Sequence, residues 1–509
     1  MPVDLPPPAL PAMKPVAQLQ AATQGHETLS FQDKLLHLSV ERSLYEGAIA
    51  GALHDADSLE AALASLEVLY YRNGYPAARV YFAIAGHDVF IVIRAGWISS
   101  VRDESGRYLS YFRDLAGRKP LRDTDLAPRL TLASAQADRA GEAVALDLQP
   151  AGDGGEILVI HKPSRVAARG KLRADLNNFG TRYAGRYQGS VSARYALASG
   201  DQASLAAGMG LRNLGDREPT VGPYHTLSAS FSHVGRLGIF DLGGDYARAQ
   251  ARPGGQRLNQ QIERWGGSWS VPLHANLFSQ FNLQLRGELF RKNTRDAETD
   301  AVLQDERYPA VSMVPAYARV LPFESSRLSL KLGTELQAGL GKAHPAQTDA
   351  KLDYYLLRPA LALQYFRDYW DYSFSMTGQL ATERLPEQQQ WVLGGPGNLY
   401  AYLPGAAIGD VGTLLALKLH REAFGYYGVG FEPSLFAEYG VSRYAHTGHD
   451  NRPEHTAALA DVGAKLSVMP SRFFNFTVSA TREVYSSGRD TLSPSAERGL
   501  LYFRATVEY

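Results

Sequence analysis

The sequence predicts a transmembrane β-barrel of sixteen antiparallel strands preceded by two small α/β domains. Three observations carry that reading. From about residue 165 to the end, apolar and polar residues alternate with a period of two, the period of a strand whose faces meet different surroundings. The connections between these segments are mostly long and polar at one end and tight at the other, as in outer-membrane barrels. Before residue 165 the period is helical in stretches, and the order strand, helix, helix, strand, strand occurs twice.

Composition excludes several other classes. The 509 residues carry 52 Lys+Arg against 52 Asp+Glu, so there is no basic surplus to neutralise a nucleic-acid backbone. The absence of cysteine removes disulfides, thiolate metal sites and thiol nucleophiles, and suits an oxidising compartment such as a bacterial envelope. No apolar run approaches the ~18 residues of a membrane helix; the longest is of the Val89–Ile93 kind. The opening Met1-Pro2-Val3-Asp4-Leu5 lacks the basic and apolar regions of a secretory leader, so either the numbering starts after processing or the chain stays inside the cell. The 28 Tyr and 48 Gly are high for a cytosolic α/β enzyme and fit a sheet with tyrosine girdles.

Residues 1–30 are rich in Pro, Ala and Gln without a strong period and read as a lead-in, either a linker or a plug helix. The first α/β domain covers 31–95. Asp57 with Glu60 forms a capping-box pattern, and Leu59, Ala62, Leu63, Leu66, Leu69 and Tyr70 recur at helical spacing until Asn73-Gly74 ends the run. Tyr75-Pro76 turns the chain into two strands, Val80–Ile84 and Val89–Ile93. The second domain, 96–164, repeats the order with strands near Ile98–Arg102, Val144–Leu148 and Ile157–Ile160 and helical segments at Tyr108–Leu115 and Thr124–Ala137. Each unit is near the lower size limit for an independent core.

The barrel covers 165–509. In its first segment Leu172, Ala174 and Leu176 alternate with Arg173, Asp175 and Asn177, and in its last Leu501, Phe503, Ala505, Val507 and Tyr509 form the apolar set. Sixteen segments centre near 173, 190, 207, 229, 244, 266, 284, 316, 332, 360, 376, 416, 435, 463, 479 and 504. The connections 214–222, 296–310, 341–352, 383–410 and 441–456 read as long, and 235–237, 323–325, 368–370 and 470–471 as short. Lipid leaves unpaired backbone groups unsatisfied, so such a sheet must close.

Three stretches resemble a known family. Tyr71-Arg72-Asn73-Gly74-Tyr75-Pro76-Ala77-Ala78-Arg79-Val80 is similar to the helix-to-strand junction of a POTRA domain in two-partner secretion transporters, Asn177-Asn178-Phe179-Gly180-Thr181-Arg182-Tyr183-Ala184-Gly185-Arg186-Tyr187 to the first hairpin of their barrels, and Gly394-Gly395-Pro396-Gly397-Asn398-Leu399-Tyr400-Ala401-Tyr402, followed by Gly409-Asp410, to the signature of their sixth loop. The resemblance runs from about residue 31 to the end. It implies an outer-membrane pore whose two periplasmic POTRA domains capture an unfolded haemolysin- or haemagglutinin-like exoprotein and pass it outward without nucleotide hydrolysis. It also implies contact with outer-membrane lipid and lipopolysaccharide, insertion by the barrel assembly machinery, and a monomeric state.

In that family the sixth loop folds into the lumen, and an Arg two residues before its aromatic end pairs with the acid of a Phe-x-Asp motif on the thirteenth strand. Here Tyr400 stands at the Arg position and Phe436-Ala437-Glu438 replaces Phe-x-Asp. The alternation turns Phe436 and Glu438 inward, and the reading has the Tyr400 phenol give Glu438 one neutral hydrogen bond, about half as strong as a charge-assisted pair. An exposed strand edge, Val80–Ile84 with Tyr81 and Phe82, or Val144–Leu148 with Leu146, is the place where main-chain pairing would hold a client. Phe503, Val507 and Tyr509 would close the barrel and serve as its assembly signal.

Gly74-Tyr75-Pro76 taken alone is ordinary cap and turn chemistry. His446 and His449-Asp450 could suggest a metal site, but a polar surface loop speaks against it; Gly341-Lys342-Ala343 lacks the rest of a phosphate loop, and no nucleophile elbow or zinc-protease helix is present, so neither cofactor nor catalysis is expected. Two readings compete with the secretion pore: a factor that inserts other barrels, which would carry more POTRA domains, and a passive porin or surface adhesin, of which a porin needs none.

Overall fold

The computed structural model describes the chain except residues 1–4, 43, 45–46, 55, 181–184, 212–223, 252–255, 324, 343–349, 446–455 and 489–500. The readings placed on Thr181–Ala184, His446, His449-Asp450 and Ala343 therefore lie outside the described residues. No helix among the described residues is long and apolar enough to cross a membrane. The chain forms two compact units, one made mainly of residues 1–167, which is α/β, and one made of most of the remainder, which is the barrel.

The α/β unit begins with β1 (Ala12–Met13), α1 (Val16–Thr23), β2 (Glu27–Phe31), β3 (Lys34–Val40), α2 (Ala48–His54), α3 (Leu59–Arg72), β4 (Arg79–Ala85) and β5 (Asp88–Arg94). Their sheet has the order β1-β4-β5-β3-β2. The apolar stripe of α3 explains its packing: Ala62, Leu63, Leu66 and Tyr70 are buried with Val80, Val89, Ile91 and Ile93 in one core. Complete burial of a side chain such as Leu66 is worth about 2–3 kcal/mol. The cap of α3 is Ser58, whose hydroxyl accepts from Ala61 N at 3.2 Å, and not Asp57. The β2–β3 hairpin and α2 lie where the sequence showed only a mixed pattern.

The Pro/Ala-rich opening is not a free lead-in. Residues 12–13 pair parallel with β4, Ala12 opposite Tyr81 and Met13 opposite Phe82, and Leu19 of α1 packs on Ala83, Phe90 and Val92. The Val80–Ile84 edge taken above as exposed is thus occupied at Tyr81 and Phe82. A two-residue strand is too short to leave a periodic trace, which is why the sequence did not reveal it.

The second domain comprises β6 (Ile98–Asp103), α4 (Leu109–Phe112) with a 3₁₀ turn at Arg113–Leu115, α5 (Asp123–Arg139), β7 (Glu142–Ala143), β8 (Leu146–Pro150), β9 (Glu156–Ile160) and β10 (Ser164–Arg165). Its sheet runs β6-β9-β8, leaving β8 at an edge; Leu146 starts β8, whereas Val144 lies between β7 and β8. The two domains meet at the Gly74-Tyr75-Pro76 motif. Gly74 has φ +86°, a Cβ on it would stand 2.8 Å from the Asp123 carboxylate, and Asp123 N donates to Gly74 O at 3.0 Å. The Arg122 guanidinium lies 4.1 Å over the Tyr75 ring. Arg79, just beyond, makes a bidentate pair with Glu156 at 2.8 and 2.7 Å.

The barrel strands are β11 (Gly170–Asn177), β12 (Tyr187–Ala196), β13 (Gln202–Leu211), β14 (Tyr224–Gly235), β15 (Gly238–Ala251), β16 (Leu258–Ala275), β17 (Ser279–Asp296), β18 (Val302–Pro322), β19 (Ser326–Leu340), β20 (Asp353–Arg367) and β21 (Trp370–Ala381). A hairpin of β22 (Trp391–Leu393) and β23 (Ala407–Gly409) follows, then β24 (Val411–Arg421) with its continuation β25 (Phe424–Tyr426), β26 (Val429–Arg443), β27 (Thr456–Ser471), β28 (Phe474–Ser487) and β29 (Leu501–Glu508). Counting β24 and β25 as one, sixteen antiparallel strands close the sheet, one at each expected centre. β29 pairs with β11, Val507 opposite Ala174 and Ala505 opposite Leu176. One loop differs from expectation: β17 and β18 run on past the expected break, so 296–310 is a long hairpin with a turn near 297–301 rather than a long loop.

Leu172, Val191, Leu205, Leu227 and Leu435 point outward and are exposed, the surface a bilayer covers. The inward rows are charged and paired, as in Arg286–Glu335 at 3.4 Å, Arg358–Glu335 at 3.3 Å and Arg504–Asp175 at 2.8 Å.

Candidate functional site

The connection between β21 and β24, residues 382–410, does not project from the barrel end. It folds inward and holds two stretches of the wall. Its first limb has a 3₁₀ turn at Glu387–Gln389. There Gln389 accepts from Arg358 through both its backbone and side-chain oxygens, each at 3.1 Å, and Gln379 Nε2 donates to Gln389 O at 2.9 Å. Glu387 pairs with Lys292, and Tyr308 OH donates to Gln388 Oε1 at 3.4 Å. Leu385 is fully buried with Phe290, Tyr308, Tyr354 and Leu356. Asp410 closes the limb, its carboxylate accepting from Leu385 N and Ala445 N at 2.9 Å each.

The second limb is the Gly-rich motif, carried on the β22–β23 hairpin with Trp391 opposite Gly409 and Leu393 opposite Ala407. Gly394 and Gly395 have φ of +104° and +101°, and a Cβ on Gly395 would stand 2.8 Å from Pro404 Cγ, so the turn requires glycine at both. Pro396 is half-buried at the bend. Leu399 has φ +65°, rare for a residue with a Cβ and costing about 1 kcal/mol or more. That conformation aims successive N–H groups at the wall. Leu399 N and Tyr400 N donate to Glu438 Oε2 at 2.6 and 3.2 Å, and Ala401 N donates to Asp461 Oδ2 at 2.6 Å. Tyr402 OH donates to Tyr485 O at 2.8 Å, and Tyr502 OH donates to Tyr402 O at 3.0 Å.

The Tyr400 phenol is therefore not what holds Glu438, as the sequence reading had it: the main-chain N–H groups do. The Tyr400 ring instead packs on Phe436 at a centroid distance of 4.8 Å and edge-on to Tyr502 at 6.1 Å. Glu438 and Asp461 stand directly opposite across β26 and β27, beside a register shift between Ala460 and Asp461. Such bulges re-aim side chains next to functional positions. Among the described residues neither carboxylate has a cationic partner, and Asp461 Oδ1 has no partner. The latch is two carboxylates gripping backbone.

The wall makes room with glycines. A Cβ on Gly412 would collide with the Trp391 ring, on Gly440 would stand 2.9 Å from Leu393 and Leu399, and on Gly463 would collide with the Phe436 ring. Leu414 and Leu459 face inward beside Gly440 and pack against the loop with Leu393, Leu399 and Tyr402.

No protein-family model and no curated protein matches the chain. Among solved structures, CdiB from Escherichia coli aligns with a TM-score of 0.68 at 15% identity, covering 96% of this chain and 92% of that one. CdiB from Acinetobacter baumannii aligns with a TM-score of 0.64 at 11% identity, covering 93% and 89%. The chain has the CdiB fold. With 96% coverage by the first of these, the likeness to CdiB takes in both the α/β unit and the barrel.

Sequence reasoning brought Tyr400, Tyr402, Phe436 and Glu438 together and missed Asp461, Tyr502, Arg358, Gln379 and Gln389. A signal for the docking surface was present. In an aqueous lumen two inward leucines, Leu414 and Leu459, beside an inward Gly440 are out of place unless something apolar covers them.

Proposed function

We propose that the chain is an outer-membrane secretion pore. Its two α/β domains take an unfolded partner exoprotein from the periplasm, and the barrel passes it to the cell surface without nucleotide hydrolysis. Loop 382–410 carries this reading: it reaches from β17–β21 to β26–β29 across the lumen and is held on its second limb by hydrogen bonds, ring packing and a small apolar cluster, with no ion pair to the wall among the described residues. A passive porin has no use for a sealing loop. A channel that admits one extended chain at a time needs a seal, and one that gives way.

Opening would exchange three N–H bonds to Glu438 and Asp461 for water, which solvates both carboxylates once the loop leaves. The net cost of exchanging these bonds is small because each replaces a bond to water, so the main loss on opening is the apolar packing of Leu393, Leu399 and Tyr402 on Leu414 and Leu459. Folding of the exoprotein outside makes the passage one-way. The resemblance of three motifs to two-partner secretion transporters and the CdiB fold support the same reading. Phe503 and Val507 on β29, with Tyr509 just past its end, would be the segment that the barrel assembly machinery recognises, and the closed barrel, having no free edge, would work as a monomer in contact with outer-membrane lipid and lipopolysaccharide.

The test is export, in a Gram-negative host, of a large, repeat-rich exoprotein, to be sought in the neighbouring reading frame. With the intact chain it should reach the medium, and without the chain it should stay in the periplasm. Equal distribution with and without the chain would overturn the reading.

A further inference from the structure

β4 is the edge strand that an α/β domain of this kind would offer to another chain, and the protein's own N-terminal segment fills it. The filling is slight. Of the seven residues of β4 only Tyr81 and Phe82 are paired by β1, with one further bond from Lys14 N to Phe82 O at 3.0 Å. The Lys14 ammonium lies 5.2 Å over the Tyr81 ring. The following helix, α1, has eight residues, no side-chain N-cap and no acid in its first turn, and only Leu19 and Thr23 are buried. A helix this short has little stability of its own.

What α1 covers is nonetheless a real surface. The α2–α3 side of the sheet holds the main core, whereas Ala83, Phe90 and Val92 form a second apolar patch on the opposite side, closed by Leu19. The segment thus does two things together: it adds a strand to the edge and seals the patch beside it. Leu10 and Met13 stay exposed although they flank or form the strand, so pairing here runs through main chain and tolerates varied side chains.

We propose that the β4 edge and the Ala83–Phe90–Val92 patch form a docking surface for an extended apolar segment of the secreted client, and that residues 5–23 are an internal stand-in which the client displaces. This rests on the reading of the chain as a secretion pore. Self-occupation protects an edge that would otherwise pair with any strand in reach, and sets a threshold that only a longer client strand, pairing along more of β4, exceeds.

The chain has no cysteine, so an introduced pair reports alone. Ala12→Cys with Tyr81→Cys, residues in direct register, should form a disulfide that fixes β1 in place. Lys14→Pro should loosen it by removing the donor to Phe82 and the cation over Tyr81. The probe is a fluorescent peptide copying residues 8–24, added to the full chain in detergent. We expect affinity for Lys14→Pro about fivefold to tenfold above that of the parent, no binding to the oxidised pair, and recovery on reduction. In cells the oxidised pair should stop export of the partner exoprotein. Peptide binding undiminished by the disulfide, or export that continues with the disulfide formed, would overturn the proposal. Failure of the parent chain to export anything strikes at the pore reading instead, and leaves the peptide measurement to decide whether the edge exchanges its occupant.

Discussion

Glu156 in the α/β unit and Glu438 in the barrel are 2% and 8% exposed, yet they are satisfied in opposite ways. Glu156 holds a bidentate Arg79, whose guanidinium also donates to Leu148 O at 3.0 Å, tying β4 of the first domain to β8 and β9 of the second. Glu438 holds only two backbone N–H groups of a loop. A buried charge with its counter-charge makes a joint that is costly to pull apart, because separation strands an ion in a poor solvent. A carboxylate facing a lumen and gripping N–H groups loses far less on release, since water replaces what it gives up. The first arrangement suits a fixed junction between domains and the second a latch. Glu67 on α3 is a third case: it is buried, accepts from Val80 N at 3.1 Å, and leaves Oε2 without a partner.

The largest effect should come from breaking the fixed joint. Arg79→Met leaves Glu156 buried without its cation and should destabilise the α/β unit by about 3–5 kcal/mol, read from its denaturant midpoint, while adding Glu156→Leu should restore most of the loss. A cost below about 1 kcal/mol would mean that the ion pair does not hold the junction and the contrast with Glu438 is empty.

Glu67 should impose a pH dependence on the same unit. Burial raises its pKa to about 7. An acid whose pKa is higher folded than unfolded stabilises the fold below the unfolded value and loses that contribution as pH rises through the folded one. Between pH 5.5 and 8 the α/β unit should therefore weaken, by about 2 kcal/mol. Glu67→Gln should flatten the profile. A parent profile already flat over that range would place Glu67 in water rather than in the core.

Smaller changes should follow at the latch. Glu438→Gln keeps the shape but turns charge-assisted acceptance into neutral acceptance, a loss of about 1 kcal/mol, so large-conductance openings in planar bilayers should lengthen or multiply severalfold. Openings identical to the parent's would show that the first limb alone closes the pore. Tyr400→Arg should act the other way by about 1 kcal/mol, placing a cation between Glu438 and Asp461, with fewer or briefer openings. Glu438→Gln in that background should reverse most of the change. If it does not, the new guanidinium has found another partner.

Much of this architecture was readable before any pairing was known. Leu172, Ala174 and Leu176 announce a strand because lipid on one side and water on the other select alternate residues over a few positions, and the same holds for each of the other fifteen strands. Phe436 and Glu438 could be turned inward by the same parity. The hairpin at 296–310 leaves no strand signal because outside the bilayer both faces of a strand are free to be polar, and alternation there loses its cause. Asp461 is one of many inward acids until β26 and β27 are set in register, and β1 is two residues whose only mark is their partner.

By itself, then, the sequence determined the sixteen strands, their inward and outward faces, the repeated α/β unit and the Gly-rich loop, all of which rest on selection acting within a few residues. Only the tertiary structure decided that the main-chain N–H groups of Leu399 and Tyr400, and not the Tyr400 phenol, hold Glu438, that Ala401 meets Asp461 across 60 positions and Tyr402 meets Tyr502 across 100, and that residues 12–13 settle on β4. Those contacts depend on where closure of the sheet brings distant walls, and on which backbone donors a loop turned by two glycines and a left-handed leucine can present to them. No local period records either.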